Sequence, residues 1–259
     1  EHDVVVLFTS DVHCGIESGF GYAGLAMMRD AYRNAGNHVV LVDNGDSIQG
    51  EPVGTMTAGE ANIKLMNAVG YDIATMGNHE FDYGMERFFE LAKMASFPYV
   101  SCNFNKNGEL QFAPYVIKEF DGVKIAFVGV TTPKTLTSST PKYFQNDDGE
   151  WIYSFGQDKT GETVYTAVQE AVDAARKDGA DYVIALAHLG IEADCSPWTS
   201  SDIITNTTGI DVMLDGHSHS VIEKELVKNK DGDEVILTST GTKLENIGCL
   251  TITADGKLD

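Results

Sequence analysis

The chain is poor in several features that would each have pointed elsewhere. Its four cysteines, Cys14, Cys102, Cys195 and Cys249, form no Cys-x-x-Cys unit, so neither a thiolate zinc site nor a disulfide framework is signalled. Basic residues are scarce: 18 Lys+Arg stand against 39 Asp+Glu, for a formal charge of −21. Such a surface repels polyanions over a Debye length of roughly 8–10 Å, which argues against nucleic-acid binding by a basic face. A small phosphate-bearing substrate is still allowed if cations reverse the sign locally. No apolar stretch approaches the roughly 20 residues needed to cross a bilayer. Internal repeats and Pro/Gly/Ser-rich linkers are also missing, which favours one domain over residues 1–259. Glu1-His2-Asp3 lacks both an initiator Met and a basic, apolar leader, so a trimmed start is expected.

Hydrophobic residues make up 42% of the chain, enough for a sizeable core. Several form short unbroken runs of the kind expected for strands buried on both faces: Val4 to Thr9, His38 to Val42, Tyr71 to Met76, Val123 to Val130, Asp181 to Ala187 and Ile210 to Asp215. Helical spacing covers residues 22–35, 59–69, 84–95 and 163–177, alternating with the strands in the α/β manner. Tyr115 to Phe120 joins the Val123 strand through Asp121-Gly122 as a hairpin, so the sheet is not purely parallel. Pro98 to Cys102 reads as a further strand, and Val235–Ser239 with Ile247–Thr253 as a closing antiparallel pair. Residues 131–161, rich in Thr, Ser, Asp and Gly with Trp151, Tyr153 and Phe155, read as a long functional loop.

The residues at the strand exits are more informative. Asp11 and His13 come after the first strand, Asp46 after the second, and Asn78 and His79 after the third. His188 and then His217 and His219 stand after two later strands. Any one of these has a plain explanation as a turn former or helix cap. Together they account for five of the seven histidines, and only His2 and His38 stand elsewhere. Asp11 with His13, and His217 with His219, are spaced two apart; in extended backbone their side chains would share a face. Oxygen and nitrogen donors without thiolate suit Mn, Fe, Ni or Zn. Seven such donors exceed the needs of one four-coordinate ion and suit two divalent ions sharing one carboxylate. Such a pair would bind a phosphate oxygen and lower the pKa of a water, which attacks phosphorus in line with the leaving group. His79 is then free to face the substrate, with Asp82 three residues on to orient it.

Asp11-Val12-His13, Gly45-Asp46, Gly77-Asn78-His79-Glu80-Phe81-Asp82, His188 and Gly216-His217-Ser218-His219 occur in the order found in the calcineurin-like metallophosphoesterases. The chain resembles in particular the catalytic domain of the 5′-nucleotidase and 2′,3′-cyclic-nucleotide 2′-phosphodiesterase group. The resemblance implies a four-layer αββα sandwich of two mixed β-sheets flanked by helices. It implies one ion on Asp11, His13, Asp46 and His219 and a second on Asp46, Asn78, His188 and His217, with His79 and Asp82 as the catalytic dyad. It also implies an exported protein, whether extracellular, cell-surface or periplasmic, acting on a nucleotide or similar small phosphoester. Two departures stand out. Cys14 comes directly after His13 where many members have Gly, and relatives continue into a C-terminal domain that grips the nucleoside. Two alternatives stay open at this point: another phosphoester on the same metal pair, and a metal-holding binding domain without turnover.

Overall fold

The computed structural model describes residues 2–259, so Glu1, where the trimmed start was expected, lies outside them. Thirteen strands occur in order: β1 (Val4–Thr9), β2 (His38–Asp43), β3 (Ile73–Ala74), β4 (Asn105–Lys106), β5 (Glu109–Leu110), β6 (Tyr115–Phe120), β7 (Val123–Thr131), β8 (Tyr153–Ser154), β9 (Tyr182–His188), β10 (Val212–Asp215), β11 (Val221–Lys228), β12 (Glu234–Thr240) and β13 (Gly248–Ile252). The helices are α1 (Gly21–Asn34), α2 (Pro52–Thr57), α3 (Glu60–Val69), α4 (Met85–Met94), α5 (Thr135–Ser138), α6 (Glu162–Lys177) and α7 (Ser200–Thr205).

One mixed sheet has the order β13-β1-β2-β3 and the other β11-β12-β10-β9-β7-β6; a small third sheet is β5-β4-β8. The six-stranded sheet has parallel pairs at its centre and antiparallel strands at both edges, whereas in the four-stranded sheet β1, β2 and β3 run parallel and only the edge strand β13 is antiparallel. Period-two alternation stacks them. Val4, Val6 and Phe8 of β1, with Val40 and Val42 of β2, face Phe127, Ile184, Leu186, Val212 and Leu214 of the other sheet. The residues between them point outward. Val5, Leu7, Val39 and Leu41 pack under Leu25, Ile63, Met66 and Phe88 of α1, α3 and α4. Val128, Val183 and Ala185 pack under Val164, Val168 and Val172 of α6. Each such Val, Leu, Ile, Met or Phe side chain stabilises the fold by roughly 1.5–3 kcal/mol on burial, and the result is the expected α/β/β/α layering.

Three local expectations are corrected. The Tyr71–Met76 run pairs only at Ile73 and Ala74, because β2 offers it just two partners before the chain turns toward the site. Pro98–Cys102 is not a strand of either sheet. Its Val100 N–H donates to Ala74 in one sheet and its Cys102 N–H to Gly129 in the other, so it crosses the gap between them. The closing pair separates: β12 runs parallel to β10 in the six-stranded sheet, whereas β13 runs antiparallel to β1 in the four-stranded one. Left-handed backbone at Gly241, Lys243 and Leu244 makes that crossing. The 131–161 segment, read as a long loop, carries α5 and β8 and is packed against the core through buried Phe144, Tyr153 and Phe155, while Trp151 is half exposed. The Asp121-Gly122 hairpin forms, with positive φ at both residues as a two-residue turn requires.

Candidate active site

The C-terminal ends of β1, β2, β3, β9 and β10 meet at one edge of the two sheets, and all the strand-exit residues, from Asp11 to His219, are brought there. Ligands bind at this edge in open α/β sheets. Asp11, His13 and His219 place donor atoms within 4.8 Å of one another, as do Asp46, His188 and His217. The two groups touch. His13 Nε2 lies 3.8 Å from Asp46 Oδ2, and His188 Nε2 lies 3.8 Å from Asp11 Oδ1. Asn78 Oδ1 is 2.9 Å from His217 Nδ1.

The convergence does not come from extended backbone, as the two-residue spacings suggested. Asp11, His13, Asp46, His217 and His219 all have φ between 47° and 80°, the left-handed region that costs a non-glycine residue about 1–2 kcal/mol. Cross-loop hydrogen bonds hold them there: Asp11 N–H donates to Gly45 O, His13 N–H to Asp46 O, and Lys243 N–H to Asp11 O. Strain retained at a cluster of polar residues is characteristic of functional sites.

The imidazoles are aimed by what their outer nitrogens touch. His188 Nδ1 is 2.7 Å from the Asn44 carbonyl and His13 Nδ1 is 3.0 Å from the Gln49 carbonyl, so each donates outward and turns Nε2 to the centre. There, His188 Nε2 lies 3.0 Å from Asp46 Oδ2 and Asp11 Oδ1 lies 3.4 Å from His219 Nε2, but neither buried atom makes a well-directed hydrogen bond. Buried polar atoms are normally satisfied, and an unpaired one costs about 1–3 kcal/mol. Two such poorly satisfied atoms 3.8 Å apart, among seven O and N donors, fit a bound cation.

A family model described as bacterial capsule synthesis protein PGA_cap matches residues 14–242. The crystal structure of the calcineurin-like phosphoesterase YfkN from Bacillus subtilis superposes with a TM-score of 0.80 at 26% identity, covering 100% of this chain and 88% of that one. The chain belongs to the PGA_cap and calcineurin-like phosphoesterase family. Curated relatives include a 2′,3′-cyclic-nucleotide 2′-phosphodiesterase/3′-nucleotidase of Haemophilus influenzae, 32% identical across 92% of this chain and 40% of its own. A 5′-nucleotidase of Bos taurus is 31% identical across 85% of this chain and 38% of its own. The chain thus spans less than half the length of the curated relatives it matches.

In this phosphoesterase domain the electrostatics sort the site's groups. Burial disfavours ionised Asp46, but the charges of His188, His79 and His13 outweigh it and hold the carboxyl well below its usual range. Burial likewise opposes charge on His188, and Asp46 and Asp11 override it upward. A 2.6 Å contact with Asp82 Oδ2 raises His79 to about 9, whereas burial, and then the charge of His188, lowers His217 to about 4. His79 lies beside the cluster, its ring 5.4 Å from that of His13, and its main-chain N–H donates to Asp46 Oδ1 at 2.8 Å. Burial lifts the Cys14 thiol to about 12, which disfavours a reactive thiolate beside the site.

Sequence reasoning passed over several residues that this site uses. Ser139 donates to Asp82 Oδ1 at 2.9 Å, tying the 131–161 segment to His79. Asp215 is buried and accepts from the N–H groups of Leu189 and Gly190, fixing the loop after His188. Gln49 and Asn44 aim imidazoles through their carbonyls, contacts to which any residue type is suited. For Asp215 there was a signal, a carboxylate ending a buried strand directly before Gly216.

Proposed function

We propose that this domain hydrolyses phosphoesters of nucleotides with two divalent cations. One would be held by Asp11, His13, Asp46 and His219 and the other by Asp46, Asn78, His188 and His217, with Asp46 shared. The observation that carries the reading is the convergence of two donor groups, Asp11 with His13 and His219 and Asp46 with His188 and His217, whose buried central atoms Asp11 Oδ1 and His188 Nε2 make no well-directed hydrogen bond. The donor chemistry favours Mn, Fe, Ni or Zn. When bound, such a pair supplies positive charge to a phosphoryl oxygen and acidifies a water.

The rest is done by the chain itself. His79 keeps its proton through neutral pH because Asp82 accepts from Nδ1, which leaves Nε2 free to donate to a phosphoryl or leaving oxygen. Asp82 is held in turn by Ser139, so the ring orientation is set before substrate arrives. The nucleotide substrate class, a place outside the cytosol and a further C-terminal domain in the full-length protein are inferences from the relatives. No helix among the described residues is long and apolar enough to cross a membrane.

The test is hydrolysis by chelator-stripped protein reloaded with Mn or Zn, using AMP, 2′,3′-cyclic AMP and p-nitrophenyl phosphate in parallel. Metal-dependent turnover of the nucleotides supports the reading. Strong preference for one of them places selectivity within residues 1–259, and indiscriminate activity places it elsewhere in a longer protein. Bound metal with no hydrolysis of any of the three would overturn the proposal in favour of a metal-holding binding domain.

A further inference from the structure

Glu80 has no part in the donor set, yet it is completely buried a few ångströms behind it. Its two carboxylate oxygens meet only backbone donors. Oε1 accepts from Ser47 N–H at 2.8 Å, and Oε2 accepts from Asp46 N–H at 2.7 Å and Gly77 N–H at 2.5 Å. Asp46 and Ser47 belong to the exit of β2, Gly77 to the exit of β3. One side chain therefore pins the loop of Asp46 against the loop of Asn78.

The two loops are in backbone contact. A Cβ on Gly77 would fall 2.2 Å from Asp46 Oδ1, and one on Gly45 would fall 2.4 Å from Gly77 N. Glu80 cannot drift, because the next residue, Phe81, is buried with ring centroids 5.0–5.3 Å from those of Phe88, Phe104 and Phe144. Asp46 meanwhile sits at φ 59°, a conformation that needs outside support.

We infer that Glu80 is a positioning residue that fixes Asp46 relative to Asn78 and so sets the geometry of the cation pair. This rests on the metal reading given under Proposed function. Its chemistry is specific: three N–H groups surround the carboxylate and no acceptor does. Glu80→Gln would keep the volume but turn an amide NH2 against at least one backbone donor, whereas Glu80→Asp keeps two acceptor oxygens on a shorter stem.

The test is Mn2+ binding to the whole domain, monitored by isothermal titration and by electron paramagnetic resonance. Wild type should take up two Mn2+ with an exchange-coupled spectrum. Glu80→Gln should fold cooperatively, bind Mn2+ roughly 10- to 100-fold more weakly and lose the coupled signal, with partial recovery in Glu80→Asp. A merely structural Glu80 would lower the melting temperature and leave the coupled signal of the folded fraction intact. If Glu80→Gln does not fold, hydrogen exchange of metal-free wild type decides. The amides of Asp46, Ser47 and Gly77 should all be protected, and rapid exchange at these three would overturn the inference. A coupled wild type with an unchanged Glu80→Gln removes the clamp alone. A wild type that takes up no pair removes the underlying reading and the clamp with it.

Discussion

His79 and His217 are two imidazoles of one site, supplied by opposite sheets and driven in opposite directions. His79 comes after β3, leans on the carboxylate of Asp82 and titrates near 9. His217 comes after β10, is buried beside charged His188 and titrates near 4. The same ring is thus prepared for two tasks by its nearest neighbour. A carboxylate at Nδ1 keeps His79 charged and able to donate a proton, while burial next to another cationic ring keeps His217 neutral, the state in which an imidazole can accept a cation.

The most drastic way to break this contrast is to remove Asp46, which lies within reach of both groups of donors. Asp46→Ala should lower turnover on the order of a thousandfold or more, the loss expected when several kcal/mol of charge stabilisation disappear, and metal analysis should find the pair gone. Wild-type rates in that variant would contradict the metal reading. Next comes Asp82→Asn, which should return His79 toward about 6.5 and cost roughly 10- to 100-fold in kcat. Histidine resonances of the metal-free protein would show the change, with His217 unmoved.

The contrast also predicts how the metal-free fold responds to pH. His79 binds its proton more tightly folded, at about 9, than unfolded, at about 6.5, so its contribution is complete below pH 6.5 and lost as pH rises through 9. His217 behaves oppositely: with a folded value of about 4, the folded state binds fewer protons, and stability declines as pH falls from about 6.5 toward 4. The His79 and His217 contributions therefore fall on opposite sides of neutrality, and urea midpoints of Asp82→Asn should lose part of the alkaline decline while the acid side is unchanged. The smallest effect expected is that of Ser139→Ala, which removes one hydrogen bond to Asp82 worth about 1 kcal/mol, roughly fivefold in kcat.

Much of the layered core was legible because strands buried on both faces read as unbroken apolar runs, as in Val4–Thr9 and Tyr182–Ala187. The strand-exit residues were legible for a related reason: Asp11, Asp46, Asn78 and His188 interrupt such runs with groups that burial alone would reject. The edge strand β11 was invisible, since Val221–Lys228 is charged and mostly exposed and owes its conformation to pairing with β12. The separation of β12 from β13 was equally hidden, because which sheet a strand joins depends on long-range pairing that local pattern does not encode. Phe155 looked like a loop aromatic because its partner, Phe81, is distant in sequence. The contribution of Glu80 lay in backbone hydrogen bonds, which leave no trace in spacing.

Anomalous scattering from crystals soaked in Mn2+ tests the shared-carboxylate cation pair most directly. Two peaks are predicted, roughly 3.5–4 Å apart, one against Asp11, His13 and His219 and the other against Asn78, His188 and His217, with Asp46 touching both. A single peak, or peaks away from these residues, would contradict the pair.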